Sequence, residues 1–370
     1  MRIEQFVMER MQSIWEYQVD YNLTESGIHP FTLEELLPKE EIQKLISTRL
    51  EYGHTRGLPE LREAISSLYP NTGIDNILVT NGSAEANFIA MWSHLEPGDE
   101  LVMMLPNFMQ IWGLTRSFGV EVKPFRLRED LRWGPDLEEL KSQITPRTKM
   151  ITICNPNNPT GAVLSDEEMQ AIIQLANENN LYIHADEVYR GAELDGVESR
   201  SFWGNYNKAV ISEGLSKAYA LPGLRIGWLI GPEDFIEKAW SYHDYTSLNA
   251  GMLSNKIATL VMQKDLRAKI FKRNRDFLNE NLAVLTGWMN SHNGLFEMIP
   301  PRAGGIAFLR YNMDINSTEL ITKLREDKSV FIVPGDCFLM DGYIRIGYGT
   351  KTDYLLAALS LFDETLAELT

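Results

Sequence analysis

Between about Leu50 and Gly231, short β-rich runs alternate with amphipathic stretches of helical period, and this rhythm constrains the fold more than any other feature of the chain. The runs are NILVT at 76–80, LVMML at 101–105, VEVKPF at 120–125, MITIC at 150–154, LYIHA at 181–185, AVIS at 209–212 and LRIGWLI at 224–230. Helical crossovers join parallel strands, so the pattern predicts an α/β layer around a mostly parallel seven-stranded sheet. Two helix starts are visible: Ser165 before Asp-Glu-Glu has the form of a capping box, and Ser83 precedes AEANFIAMWSHL.

After Pro232 the texture changes to long helical stretches (233–261, then 265–290), two strand pairs around 296–311 and 330–346, and a final helix from Thr352. This predicts a smaller α+β domain. The first ~45 residues are helical in pattern and contain the turn Ser26-Gly27-Ile28-His29-Pro30, so they are expected to pack on that part. The expected division is a large domain at 47–245 and a discontinuous small domain made of 1–46 and 246–370.

With 370 residues, 44% of them apolar, the chain can bury one large or two ordinary cores, which excludes wholesale disorder. Asp and Glu number 51 against 35 Lys and Arg, a net charge of -16 that opposes nucleic acid and anionic membrane as partners. No stretch approaches the roughly 18 uninterrupted apolar residues of a membrane span, and neither a secretion signal nor an anchor is expected. The two cysteines, Cys154 and Cys337, each stand alone in apolar surroundings, so no disulfide framework and no metal site are expected. A reducing, cytoplasmic compartment fits best.

Ligands of such sheets gather at the carboxyl ends of the strands, and the polar residues out of place in this chain fall there. Gly82-Ser83-Ala84 follows the first strand, Pro106-Asn107-Phe108 the second, NPNNPTG (155–161) the fourth, Asp186-Glu187-Val188-Tyr189 the fifth and Ser216-Lys217 the sixth. Lys217 just past a strand end can be a Schiff-base nucleophile if burial lowers its pKa, though most lysines are solvated surface charges. Arg225 reads as a charge within an apolar strand, which calls for an anion such as a phosphate. Asp186 at a strand end reads equally as a buried acid needing a cation or as a helix cap. NPNNPTG alone is compatible with a Pro-rich turn, Phe108 and Tyr52 with ordinary packing, and Arg345 in YIRIGY with a solvated strand face.

Taken in series, Y-G-x-x-x-G-x-P-x-L-R (Tyr52 to Arg62), NGSAEA, NPNNPTG, DEVY, LSK, PGLRIGW and YIRIGYG resemble the fold-type-I pyridoxal-phosphate enzymes, in particular the class I/II aminotransferases. The resemblance runs from about Tyr52 to Gly349. It implies pyridoxal 5′-phosphate bound as a Schiff base on Lys217, which later shuttles the substrate Cα proton. It further implies Asp186 at the pyridinium nitrogen, and Tyr189 and Asn158 as donors to the cofactor phenolate, with Phe108 on the ring face. The phosphate would be held by N–H groups of Ser83 and Ala84, by Ser216 and Arg225, and by Tyr52 from a second subunit, which makes a homodimer. Arg345 would clamp the substrate α-carboxylate, and its binding would close the small domain.

This sequence departs from the family pattern at Gly214, at Ala84 and at Asn107-Phe108. The opening segment NLTESGIHPFTLEELL is similar to the capreomycidine-synthase-like branch, whose members perform elimination and ring closure on a hydroxylated arginine. Glu25 beside the turn at Gly27 is the candidate reader of a basic or polar side chain, with Gly27 and Asn158 also near the substrate. Three readings follow: an aminotransferase acting on an L-amino acid and a 2-oxo acid, an elimination, cyclisation or oxidation enzyme on the same cofactor, and a non-catalytic ligand-binding module.

Overall fold

A computed structural model describes residues 3–369. All seven expected strands form, and a two-residue edge strand, Gly134–Pro135, makes the large sheet eight-stranded. Across the sheet the order is Ile77–Thr80, Gly227–Ile230, Ala209–Gly214, Tyr182–Asp186, Thr148–Cys154, Glu100–Leu105, Glu121–Arg128 and Gly134–Pro135. The central pairs are parallel, whereas Gly227–Ile230 runs antiparallel to both neighbours and Gly134–Pro135 runs antiparallel to Glu121–Arg128.

Alternate residues of each strand enter two different cores, which is why the strands are apolar on both faces. Ile77 and Val79 pack on the side of Leu61 and Ile65 of the helix Pro59–Ser66 in one core. Leu78, with Met103 and Leu229, packs against Ile89 and Ile236 in the other. The capping box at Ser165 is present: its hydroxyl accepts from the Glu168 N–H, and the Glu168 carboxylate accepts from the Ser165 N–H.

The second sheet is antiparallel, in the order Phe296–Met298, Ile306–Tyr311, Tyr343–Gly347 and Val333–Pro334. Leu278, Leu320, Leu355 and Phe362 from three helices cover it. One of these helices, Ser317–Lys328, goes beyond the expected strand pairs, and Val330–Phe331 pairs in parallel with Tyr21–Asn22 instead of joining the sheet. That pairing ties the N-terminal segment to the C-terminal part. The helical pattern of 233–261 is broken into Glu233–His243 and Met252–Val261, with Leu248 in the left-handed region between them. Among the described residues no helix is long and apolar enough to cross a membrane.

Next to the rim of the large sheet lies a buried polar knot. Glu213 accepts from the Tyr69 hydroxyl, and Glu187 accepts from the Phe202 N–H at 2.9 Å while its Oε2 has no partner among the described residues. Arg190 is the cation that acts on both carboxyls, and burial outweighs it, pushing Glu187 up to about 8 and Glu213 up to about 7. Both folded-state values lie above the ordinary 4.5, so the folded protein holds more protons than the unfolded chain between about pH 4.5 and 8. Stability therefore falls as pH rises through that window. The thermal midpoint is expected to drop from pH 6 to pH 8, and Glu187→Gln, which removes one titrating group, is expected to shrink that drop; an equal drop in the variant would contradict the account.

Candidate active site

The register of the large sheet puts the ends of several strands in one row. Gly227 pairs with Thr80 on one side and Gly214 on the other, and Asp186 pairs with Ser212 and Cys154. The segments that follow Thr80, Cys154, Asp186 and Gly214, and the segment that precedes Gly227, therefore open onto one rim.

At one end of the rim the helix Ser83–His94 begins. Its N-cap is Gly82, not Ser83, and Gly82 takes φ +87°, a conformation costly for other residues. Glu85 and Ala86 donate back to the Gly82 carbonyl, so Ser83 and Ala84 are left with the free N–H groups of this turn. A Cβ on Gly82 would lie 2.5 Å from Arg225 Nη2, and one on Gly227 would lie 2.4 Å from the Ser83 nitrogen. Two glycines thus let a guanidinium and a strand close on a helix N-terminus.

Arg225 is not inside an apolar strand, as its sequence surroundings suggest. The strand starts at Gly227, and Arg225 occupies a left-handed turn position (φ 51°) after Pro222–Leu224, exposed to solvent. Its Nη1 donates to the Pro222 carbonyl at 3.1 Å and reaches Ser216 Oγ at 3.4 Å, and no carboxylate pairs with it among the described residues. The anion requirement therefore comes from the geometry of this corner and not from the cost of a buried charge. Backbone N–H groups, a hydroxyl and a guanidinium together make an anion-binding site.

In the middle of the rim Asp186 is buried. Its Oδ2 accepts from Asn87 Nδ2 at 3.0 Å and its Oδ1 from the Val188 N–H at 3.2 Å. Among the described residues no cation pairs with it directly; burial raises its pKa, and the Asn87 and Val188 contacts and the coulombic pull of Lys217 only partly counter this. Such a carboxylate is suited to a cationic partner that the protein itself does not supply. Asn87 was not apparent from the sequence as a site residue. Its only signal is polarity on a helix face otherwise buried through Ala86, Ile89 and Ala90.

Opposite stand Tyr189, Asn158 and Arg345. Arg345 is 1% exposed, so it is not a solvated face residue. Its Nη1 donates to Asn158 Oδ1 at 2.9 Å and its Nη2 to the Thr24 carbonyl at 2.6 Å, while its Nε is buried without a partner. Burial raises the Tyr189 hydroxyl, offset partly by Arg345 and by a hydrogen bond with Ser26. Between these walls lies a cavity of about 450 Å³. Lys217 lines it, its pKa lowered by burial and by Arg345 and Arg225 against the opposing charges of Glu25 and Glu9.

The cavity brings together Ser83, Ala84, Phe108, Asn158, Asp186, Tyr189, Ser216, Lys217, Arg225, Arg345 and Glu25. Gly27 lies behind it, lining a second cavity with Ser216, and a Cβ there would be 3.4 Å from the Ser216 carbonyl oxygen. Tyr52 is 86% exposed and does not line the cavity of its own chain. Residues of the N-terminal helix Val7–Trp15, among them Glu9 and Gln12, close the cavity from above, which the helical pattern of this segment did not disclose. Gln12 Nε2 donates to Thr24 Oγ1 at 2.9 Å, tying that helix to the segment that Arg345 holds.

A buried acid lacking a cation, an enclosed lysine and an anion corner fit pyridoxal phosphate, which carries a ring nitrogen, an aldehyde and a phosphate. Comparison with known proteins agrees. Residues 21–361 match the model of the family described as aminotransferase class I and II. A pyridoxal-phosphate-dependent aminotransferase from Streptococcus suis superposes with a TM-score of 0.94 at 33% identity, covering 100% of this chain and 99% of that one. Capreomycidine synthase of Streptomyces vinaceus is 27% identical over 95% of this chain and 90% of its own length. Aspartate/prephenate aminotransferase of Thermus thermophilus is 28% identical over 94% of this chain and 91% of its own length. The chain belongs to the class I and II aminotransferases. It is a pyridoxal-phosphate-dependent enzyme of fold type I that carries out transamination.

Proposed function

We propose that the enzyme moves the amino group of an L-amino acid to a 2-oxo acid in the cavity around Lys217, in two half-reactions. The observation that carries this reading is the enclosure of Lys217 and the cation-free Asp186 in one cavity that also holds the anion corner. Pyridoxal phosphate supplies an aldehyde that captures amines and a ring that accepts the electron pair left when Cα loses its proton.

The chain's own residues do the rest. Burial favours the neutral amine of Lys217, which can attack a carbonyl and afterwards take and return the Cα proton. Asp186, held by Asn87 and Val188, stabilises positive charge at the ring nitrogen. Tyr189 and Asn158 Nδ2 would donate to the phenolate, Phe108 would lie against the ring, and Ser83, Ala84, Ser216 and Arg225 would hold the phosphate. Arg345 would bind the α-carboxylate, because its guanidinium lines the cavity and its fork suits two carboxylate oxygens. Arg345→Lys is expected to lower kcat/KM roughly 10²-fold, mostly through KM, as loss of one buried bidentate contact should; unchanged steady-state kinetics would remove Arg345 from this role.

The proposed enzyme is a cytoplasmic homodimer. Tyr52 is exposed, as are Ile46 and Leu50 of the same segment, and a second subunit covering that segment would receive Tyr52 at its phosphate. Light scattering should report a dimer, and Tyr52→Phe should weaken cofactor retention; an active monomer would overturn this assembly. Both cysteines are free and buried, as a reducing compartment permits. Residues 47–245 would form the cofactor domain, and 1–46 with 246–370 the smaller one that closes on substrate.

The test of transamination is to mix the pyridoxal-phosphate form with amino acids in the absence of any oxo acid. One equivalent of oxo acid with matching pyridoxamine phosphate supports the proposal. Release of ammonia or a cyclised product with the cofactor unchanged would favour elimination, the reading for which similarity to capreomycidine synthase speaks.

A further inference from the structure

Three carboxylates line the outer part of the cavity: Glu9 and Glu16 from the N-terminal helix and its end, and Glu25 from the segment after it. None of the three side chains forms an ion pair or hydrogen bond among the described residues, although 24 such ion pairs occur elsewhere. Burial, followed by repulsion from Glu25 and Glu9, holds Glu16 above the ordinary carboxylate range. Burial does the same to Glu9, with Lys217 and Arg345 pulling against it and Glu25 reinforcing it.

Glu25 and Glu9 act electrostatically on Lys217 and Arg345, whereas Glu16 acts on neither and couples only to the other two acids. All three line the cavity, Glu9 and Glu25 exposed to solvent and Glu16 half-buried. The cations of the cavity, Lys217, Arg225 and Arg345, are all engaged at the inner end by the proposed cofactor and α-carboxylate. With the α-carboxylate on Arg345, as proposed, and Asp186 reserved for the ring nitrogen, the charged lining left for a substrate side chain among the described residues is the acids Glu9, Glu16 and Glu25.

We propose that Glu9, Glu16 and Glu25 select amino donors whose long side chains end in a cation, an ammonium or guanidinium. This rests on the aminotransferase reading and adds to it the class of donor. The three acids lower the local potential along the side-chain path, favouring a cationic tail and disfavouring an acidic one by like-charge repulsion.

The test uses the holoenzyme and pairs of donors that match in shape but differ in charge: L-arginine against L-citrulline and L-lysine against L-norleucine, with L-glutamate as the acidic member. The cationic member of each pair should have the higher kcat/KM, and the advantage should shrink with added salt. Glu25→Gln and Glu9→Gln should each reduce the cationic-to-neutral ratio about tenfold, Glu16→Gln less, and Glu25→Asp should restore part of it. Calorimetry with α-methyllysine and α-methylnorleucine, which have no Cα proton to lose, reports the same preference apart from turnover.

A wild-type enzyme that prefers citrulline, norleucine or glutamate overturns the proposal while leaving transamination intact. So does an equal loss for all donors in the Gln variants, which would mark the acids as structural. Selective, Glu-dependent binding of α-methyllysine without oxo-acid formation from any donor would keep the proposal and overturn the aminotransferase reading instead.

Discussion

Lys217→Ala is expected to lower kcat by at least about 10⁴-fold, because one group is asked to be both the amine that holds the cofactor and the base that moves the Cα proton. The fold should survive. Lys217 makes no side-chain hydrogen bond among the described residues, and burial already disfavours its charge, so losing it removes a cost as well as a contact. The thermal midpoint of the variant should therefore match or exceed that of the parent without cofactor. Added methylamine, a small base that can enter the vacated space, should recover part of the proton-transfer rate. A variant retaining more than about one per cent of parental kcat would place the chemistry elsewhere.

Asp186→Asn carries the second large effect. The substitution keeps size and its one amide oxygen can still accept from either Asn87 or Val188, but its NH2 cannot replace the second acceptor, and it withdraws the negative charge that no cation among the described residues pairs with. A buried charge opposite a ligand cation contributes about 3–5 kcal/mol, so kcat is expected to fall roughly 10²- to 10⁴-fold. Cofactor retention should change far less, because the phosphate is gripped at the separate corner of Ser83, Ala84, Ser216 and Arg225. Asn87→Ala should show a smaller loss of the same kind, since it removes one of the two hydrogen bonds that orient the carboxylate. Equal losses in cofactor affinity and kcat would mean that Asp186 serves binding alone.

Much of this was legible in the sequence because it is local. The apolar runs announced the seven main strands, and the Ser165 capping box closes as its spacing requires. The rim motifs at Ser83, Asn158, Asp186 and Lys217 fall at strand ends and meet in one cavity, because parallel strands bring all their carboxyl ends to one side. What stayed hidden depends on tertiary context. Gly134–Pro135 and Tyr21–Asn22 are strands only because partners lie beside them. LRIGWLI reads as one strand, yet its first residues form a turn with Arg225 in the left-handed region, a backbone state that apolar patterning does not encode. The approach of Glu9 and Glu16 to residues some two hundred positions away follows from the docking of the first helix, and nothing in its own pattern specifies that.

The central claim is that Lys217 holds pyridoxal phosphate inside this cavity. Reducing the holoenzyme with borohydride fixes the cofactor to whichever amine carries it, and peptide mass analysis then reads the position. The account predicts a single labelled peptide, modified at Lys217 in LSKAYALPG and lost in Lys217→Ala. A label on another lysine, or a holoenzyme in which no lysine is labelled, would contradict it.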